Sequence, residues 1–260
     1  MCSKKVLLVL MILCSISVPA LSDETKKKIF STLDEKRMFA RDLSHLISES
    51  WKIWQQGVII NDVSVDGSQG IMSPGSLSGR VFSVPEMSIA AMELKGKNKE
   101  YSVCTRAVLK AFEKAMAGWQ KGYKNDSVPF PQGTSCVYTM TPSGNVPVPL
   151  SSGISSGDGD MTEDALYSAM LYHVPYQDKD VTAVLKCVSR AISESFLEWK
   201  EECYISDITA KGGIAPGPAP MGTGPGIVRG AKGNGGNLGG MCIDGAGMYK
   251  KICKYYDQQQ

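Results

Sequence analysis

The chain has 260 residues, of which 43% are apolar and 21% charged, with a formal net charge of +2 and eight cysteines. That length suits one large or two small domains and can bury a sizeable core. The balanced charge excludes a nucleic-acid binder built on a basic stripe and an acidic disordered tail, and two histidines leave little room for imidazole-based metal or general-base chemistry.

Residues 1–22, MCSKKVLLVLMILCSISVPALS, place Lys4 and Lys5 before an apolar run from Val6 to Val18. Pro19 breaks the run, and Ala20-Leu21-Ser22 puts small residues where a signal peptidase reads. This is the layout of a secretory signal peptide, and the run is shorter than the ~20 residues of a membrane span. Cutting after Ser22 removes Lys4, Lys5, Cys2 and Cys14. It leaves 26 basic and 26 acidic residues, and six cysteines: Cys104, Cys136, Cys187, Cys203, Cys242 and Cys253. An even count in an exported chain reads as up to three disulfides.

Beyond the signal, a unit recurs: an amphipathic helix, a tryptophan, a short β-prone run with an aspartate, and a Gly/Pro-rich segment. Its copies span about 24–82, 98–154 and 178–230. In the first, Leu33, Ala40, Leu43, Ile47, Trp51 and Trp54 step at helical spacing. Val58-Ile59-Ile60, Val63 and Val65 then read as strand, Asp62 lies eight residues past Trp54, and GIMSPGSLSG closes the unit at 70–79. The second carries a narrower stripe of small residues, Ala107, Ala111 and Ala115, which predicts close helix approach and a central place, before Trp119 and Asp126. Pro129, Pro131, Pro147 and Pro149 limit this copy to edge or irregular structure. Thr162, followed by Glu163 and Asp164, predicts an N-cap and a short helix over 162–171. The third copy runs through Val181, Leu185, Val188, Ile192, Phe196 and Trp199 to Asp207. Ser189–Trp199 matches Ser44–Trp54 at six of eleven positions. Residues 231–260 read as a Gly-rich linker and a short C-terminal helix. The expected fold class is α+β: one domain over 23–230, with long amphipathic helices packed together and short strands at one end.

Trp54, Trp119 and Trp199 are the candidate anchors of that core, or an aromatic ring around a threefold axis serving as a ligand or partner contact. Asp62, Asp126 and Asp207 recur at one place in each unit. They could meet and bind a hard cation, but capping local turns is the preferred reading, and no metal site is expected. The cysteines show no Cys-x-x-Cys spacing. Cys187 and Cys203 would lie ~24 Å apart on one helix, so they are expected to staple the C-terminal segment through Cys242 and Cys253, leaving Cys104 with Cys136. Asn125-Asp126-Ser127 is a glycosylation sequon in a eukaryotic source. The glycines of 212–247, 14 in number, lack the Gly-Lys-Ser/Thr ending of a P-loop. No Gly-x-Ser-x-Gly elbow is present, and His45, His173, Glu49 and Glu194 have no catalytic motif around them.

These readings lead to a non-enzymatic, exported structural or assembly protein of the cell envelope or extracellular space, secreted, periplasmic or at the cell surface. It would need no cofactor and would form a homo-oligomer or dock envelope proteins through Gly/Pro-rich loops. A secreted ligand-binding module with a site at the shared end of the repeats is the alternative, ahead of an exported hydrolase.

Overall fold

The computed structural model describes residue 30 and residues 32–66, 68–84, 99–130, 144–175, 177–211 and 231–259. The expected signal segment, Cys136, and the Gly/Pro-rich stretches 131–143 and 212–230 lie outside them. The class is α+β. The helices are α1 (Leu33–Gly57), α2 (Lys99–Gly122), α3 (Glu163–His173), α4 (Lys179–Glu202) and α5 (Gly245–Gln258). The strands are β1 (Val58–Ile60), β2 (Val63–Asp66), β3 (Gln69–Met72), β4 (Leu77–Gly79), β5 (Tyr123–Pro129), β6 (Val148–Pro149), β7 (Ile154–Ser155), β8 (Tyr204–Ser206), β9 (Thr209–Lys211), β10 (Ala231–Asn234) and β11 (Asn237–Gly239).

Side-chain caps start α1, α4 and α5. Thr32 and Glu35 form a capping box: the Glu35 N–H donates to Thr32 Oγ1 at 3.2 Å and the Thr32 N–H to Glu35 Oε2 at 3.1 Å. Asp178 accepts from the Val181 N–H at 2.7 Å at the start of α4. Asp244 accepts from the N–H groups of Ala246 and Gly247, both at 2.9 Å, at the start of α5. Thr162 occupies the N-cap position of α3 but makes no side-chain cap; its hydroxyl donates back to the Gly159 carbonyl at 2.9 Å. The long helices end where branched or aromatic residues begin, so α1 and α2 pass straight into β1 and β5, and α4 into β8 through Cys203 alone.

Six strands form one antiparallel sheet in the order β7-β5-β3-β2-β10-β9. Its open sides are joined by residues 144–146. Gly144 bridges antiparallel to Thr209 of β9, and the Val146 N–H donates to the Pro129 carbonyl of β5 at 2.8 Å. The sheet therefore curls into a barrel closed through this segment, which covers backbone edges that would otherwise be unpaired. Val63, Val65, Met72, Val128, Ala210 and Ala231 are buried, while the alternate positions Ser64, Asp66, Ile71 and Lys232 are exposed, as a period of two requires. Nearer the helix ends, β1 pairs with β4, β8 lies between β11 and β6, and Ile60 bridges to Gly236.

Three sequence expectations change here. GIMSPGSLSG at 70–79 is mostly strand: β3, whose residues alternate in and out, and β4, which pairs with β1. Residues 231–239, read as linker, are β10 and β11. The proline-limited middle segment contains β5, at seven residues the longest strand among the described residues, paired on both sides. Pro129 is tolerated because it is the last residue, with a carbonyl to offer and no N–H demanded. Helix α2 packs closely against α3, and the middle of the bundle is shared by aromatic side chains from all three long helices. One hydrophobic cluster runs from Phe30 to Tyr256.

Gly79, the last residue of β4, and Gly240, directly after β11, lie in the left-handed region, at φ +85° and +99°. A Cβ on Gly79 would sit 2.6 Å from the Gly57 carbonyl oxygen, and one on Gly240 2.5 Å from that of Glu202. Each strand is thereby pressed against the last turn of a long helix, at a spot only glycine fits.

Candidate functional site

The last turns of α1, α2 and α4 deliver their tryptophans to one place. The rings of Trp54 and Trp199 are 5.7 Å apart and those of Trp119 and Trp199 5.6 Å apart. Trp51 joins them, 4.8 Å from Trp199, 5.4 Å from Trp54 and stacked on Phe112 at 5.6 Å. All four indoles are buried. Most of these pairs are edge-to-face or tilted, the arrangement the ring quadrupoles favour.

A buried indole N–H needs an acceptor, and the partners follow a rule. Trp199 Nε1 donates to Gln55 Oε1 at 2.9 Å, and Gln55 is the residue after Trp54. Trp54 Nε1 donates to Gln120 Oε1 at 3.0 Å, and Gln120 is the residue after Trp119. The residue after Trp199 is Lys200, which has donors only. Asp158, in the 3₁₀ turn Asp158–Met161, intervenes: its Oδ1 accepts from Trp119 Nε1 at 3.0 Å and from Lys200 Nζ at 2.9 Å. The indoles of Trp54, Trp119 and Trp199 are thus each tied to the end of another long helix, and the third link runs through a carboxylate. Burial pushes the Asp158 carboxyl up, but the Ser155 N–H, the Lys200 ammonium and the Trp119 N–H outweigh it and hold it below the usual aspartate range.

The glutamines and Asp158 escaped the sequence reading. The available signal was the dipeptide Trp-Gln at 54–55 and 119–120 against Trp-Lys at 199–200, an acceptor present twice and missing once.

The recurring aspartates are not brought together. Asp62 and Asp207 both sit in left-handed turns, at φ 56° and 60°, conformations that aspartate and asparagine tolerate better than most residues. The Asp62 N–H donates to Asn234 Oδ1 at 2.9 Å, and Asp207 Oδ2 accepts from Ser206 Oγ at 2.8 Å. Asp126 lies exposed on β5. Among the described residues, no group of three or more His, Cys, Asp or Glu side chains could hold a metal ion. His45 is exposed on α1, as is Glu49, while His173 ends α3 against the Tyr172 ring. Glu194 accepts from Arg190 Nε at 3.1 Å and from the Tyr255 hydroxyl. Burial raises its carboxyl, yet those two donors hold it below the ordinary range. Asn125 is 1% exposed and donates to Ser152 Oγ at 2.8 Å, so the sequon offers a glycan no exit.

The C-terminal helix α5 packs on α1 and α4, antiparallel to α4: Lys251 meets Glu198, while Tyr255 meets Glu194 and the Arg190 guanidinium, 4.2 Å over its ring. Five cysteines, Cys104, Cys187, Cys203, Cys242 and Cys253, carry free thiols. Cys187 shares a hollow of about 270 Å³ with Tyr255, Gln258 and Gln259 at the far end of α5. Cys253 lines an open groove of about 610 Å³ with Arg37, Tyr249 and Lys254. Cys187 and Cys253 thus line different hollows along α5. Burial pushes Cys104 and Cys203 up to about 12 and Cys187 to about 11, so all three stay protonated near neutral pH. No helix among the described residues is long and apolar enough to cross a membrane.

Compared with protein-family models, curated proteins and solved structures, the chain matches none.

Proposed function

We propose that this chain is an exported structural protein of the cell envelope or extracellular space. In this reading, three quasi-equivalent units build a rigid core that self-associates through its strand end. The observation that carries the reading is the indole relay, in which the end of each long helix is clasped by a tryptophan of another. Such a closed cycle locks three helices as one piece, which suits a building block.

The backbone after α1 and after α4 supports equivalence of the first and third units. β1 and β8 each lead into a left-handed aspartate, Asp62 or Asp207. Each of these strands pairs with a later one, β4 or β11, whose left-handed glycine, Gly79 or Gly240, is the last residue of β4 or directly follows β11. For the middle unit the support is the place of Trp119 and Gln120 in the relay, and the bridging role of residues 144–146 in the barrel.

Exposed apolar side chains favour the strand end as the adhesive part. Ile59, Ile71, Val146, Ile154 and Tyr204 all lie on strands or on the bridging segment and are 41% exposed or more. A neutral mature chain adds no net repulsion between copies. The test is the molar mass of the chain from residue 23, measured by light scattering across a concentration series. Growth above the monomer mass supports the reading, and a monomer at every concentration removes it.

A further inference from the structure

At the junction of α4 and β8, Cys203 is fully buried and its thiol donates to the Gly239 carbonyl at 2.9 Å. Its sulfur therefore faces the end of β11. Gly240 follows in a left-handed turn, so close that an added Cβ would lie 3.0 Å from the Cys203 Cα. Cys242 comes two residues later, half-buried, in the short connector between β11 and α5. That connector is fixed at both ends: by the β8–β11 ladder on one side, and by the Asp244 cap with Gly245 wedged on Ser44 and Ser48 of α1 on the other.

From this geometry we propose that Cys203 and Cys242 close to a disulfide that ties the α4–β8 junction to the start of α5. The corresponding turn after α1 shows that the backbone does not need cysteines there. Gly79 faces Val58, and Val81 follows two residues on. Cys242 is also among the groups whose charge raises the Cys203 thiol, after the larger effect of burial. The enclosed stretch carries most of the glycine of 212–247, the composition that costs most entropy to order. A crosslink at its base removes part of that cost from the unfolded chain.

The chemistry is thiol–disulfide exchange with an external disulfide such as oxidised glutathione. The more accessible Cys242 thiolate attacks a reagent sulfur and releases one thiol. Cys203, deprotonated in turn, attacks the Cys242 sulfur of the mixed disulfide and releases the second. Two S–H bonds are lost, one S–S bond forms, and the reagent is reduced to two thiols.

The test oxidises the reduced full chain with glutathione disulfide and maps non-reduced peptides. A Cys203–Cys242 peptide is the expected main crosslink involving either residue. The oxidised protein should melt on the order of 5 °C above the reduced one. Cys242→Ser should lose both the crosslink and the difference. Cys203→Val, which copies Val58, should fold and leave Cys242 as a glutathione adduct. Recovery of Cys242 joined to Cys253, or of wild-type Cys242 as a stable glutathione adduct with Cys203 free, overturns the pairing. The pairing stands on this junction and not on self-association, so its failure leaves the light-scattering test untouched.

Discussion

A buried indole can be an anchor by size alone or by size and hydrogen bond together, and the four tryptophans divide on that line. Trp54, Trp119 and Trp199 each have an acceptor; Trp51 Nε1 is buried with no partner among the described residues. The six-of-eleven match aligns Trp51 with Phe196, a side chain without an N–H. Replacing Trp199 by Phe strands the Gln55 amide in the core, at about 1–3 kcal/mol beyond the lost packing. Trp51→Phe carries only the packing loss. Urea denaturation of the two variants should therefore place Trp199→Phe below Trp51→Phe in stability, and equal losses would show that the relay contributes nothing. The tryptophans were legible as a stripe because helical spacing reveals burial. Their partners were not, since an acceptor on a different helix leaves no periodic trace. Asp158 was the least legible, sitting far along the chain in a 3₁₀ turn.

Among the elements, the helices were the most legible and the strands the least. A helix of 24 or 25 residues shows its apolar face many times over, whereas β4 and β9 have three residues each. Glycine inside β10 obscured it further. A Cβ on Gly233 would meet Ile208 at 2.7 Å, so close packing there demands the residue that usually marks a loop. The turn after β4 gives a direct check. Gly79→Ala forces a side chain into φ +85° and against the Gly57 carbonyl, and should cost about 1–3 kcal/mol. Gly144→Ala, where nothing lies within 4 Å of the new Cβ, should be near neutral in the same urea series. Acid tests the links between elements. Asp158 and Glu194 have folded carboxyls lowered from their ordinary values. Both groups bind protons more readily when unfolded, so their contribution is present above the unfolded pKa of about 4. It fades as pH falls through the folded values. Denaturation midpoints should drop from pH 6 toward pH 3, and less steeply in Asp158→Asn. An unchanged slope in that variant would mean the Lys200–Asp158 link is not a stabilising one.

For the whole molecule, the α+β class and the gathering of short strands beyond the helix ends followed from patterning. Closure of the sheet did not, because it depends on Gly144 and Val146 reaching two distant strands. The proposed role needs a surface as well as a rigid core, and the exposed apolar side chains divide between strand end and helix side. Sedimentation velocity on matched variants measures that division most directly. Ile71→Asp with Ile154→Asp should abolish self-association while leaving the fold intact by circular dichroism. Tyr172→Asp, at the 85% exposed position on α3, should leave association unchanged. Loss of association in Tyr172→Asp, with the strand-end pair behaving like the wild type, would contradict assembly through the strand end.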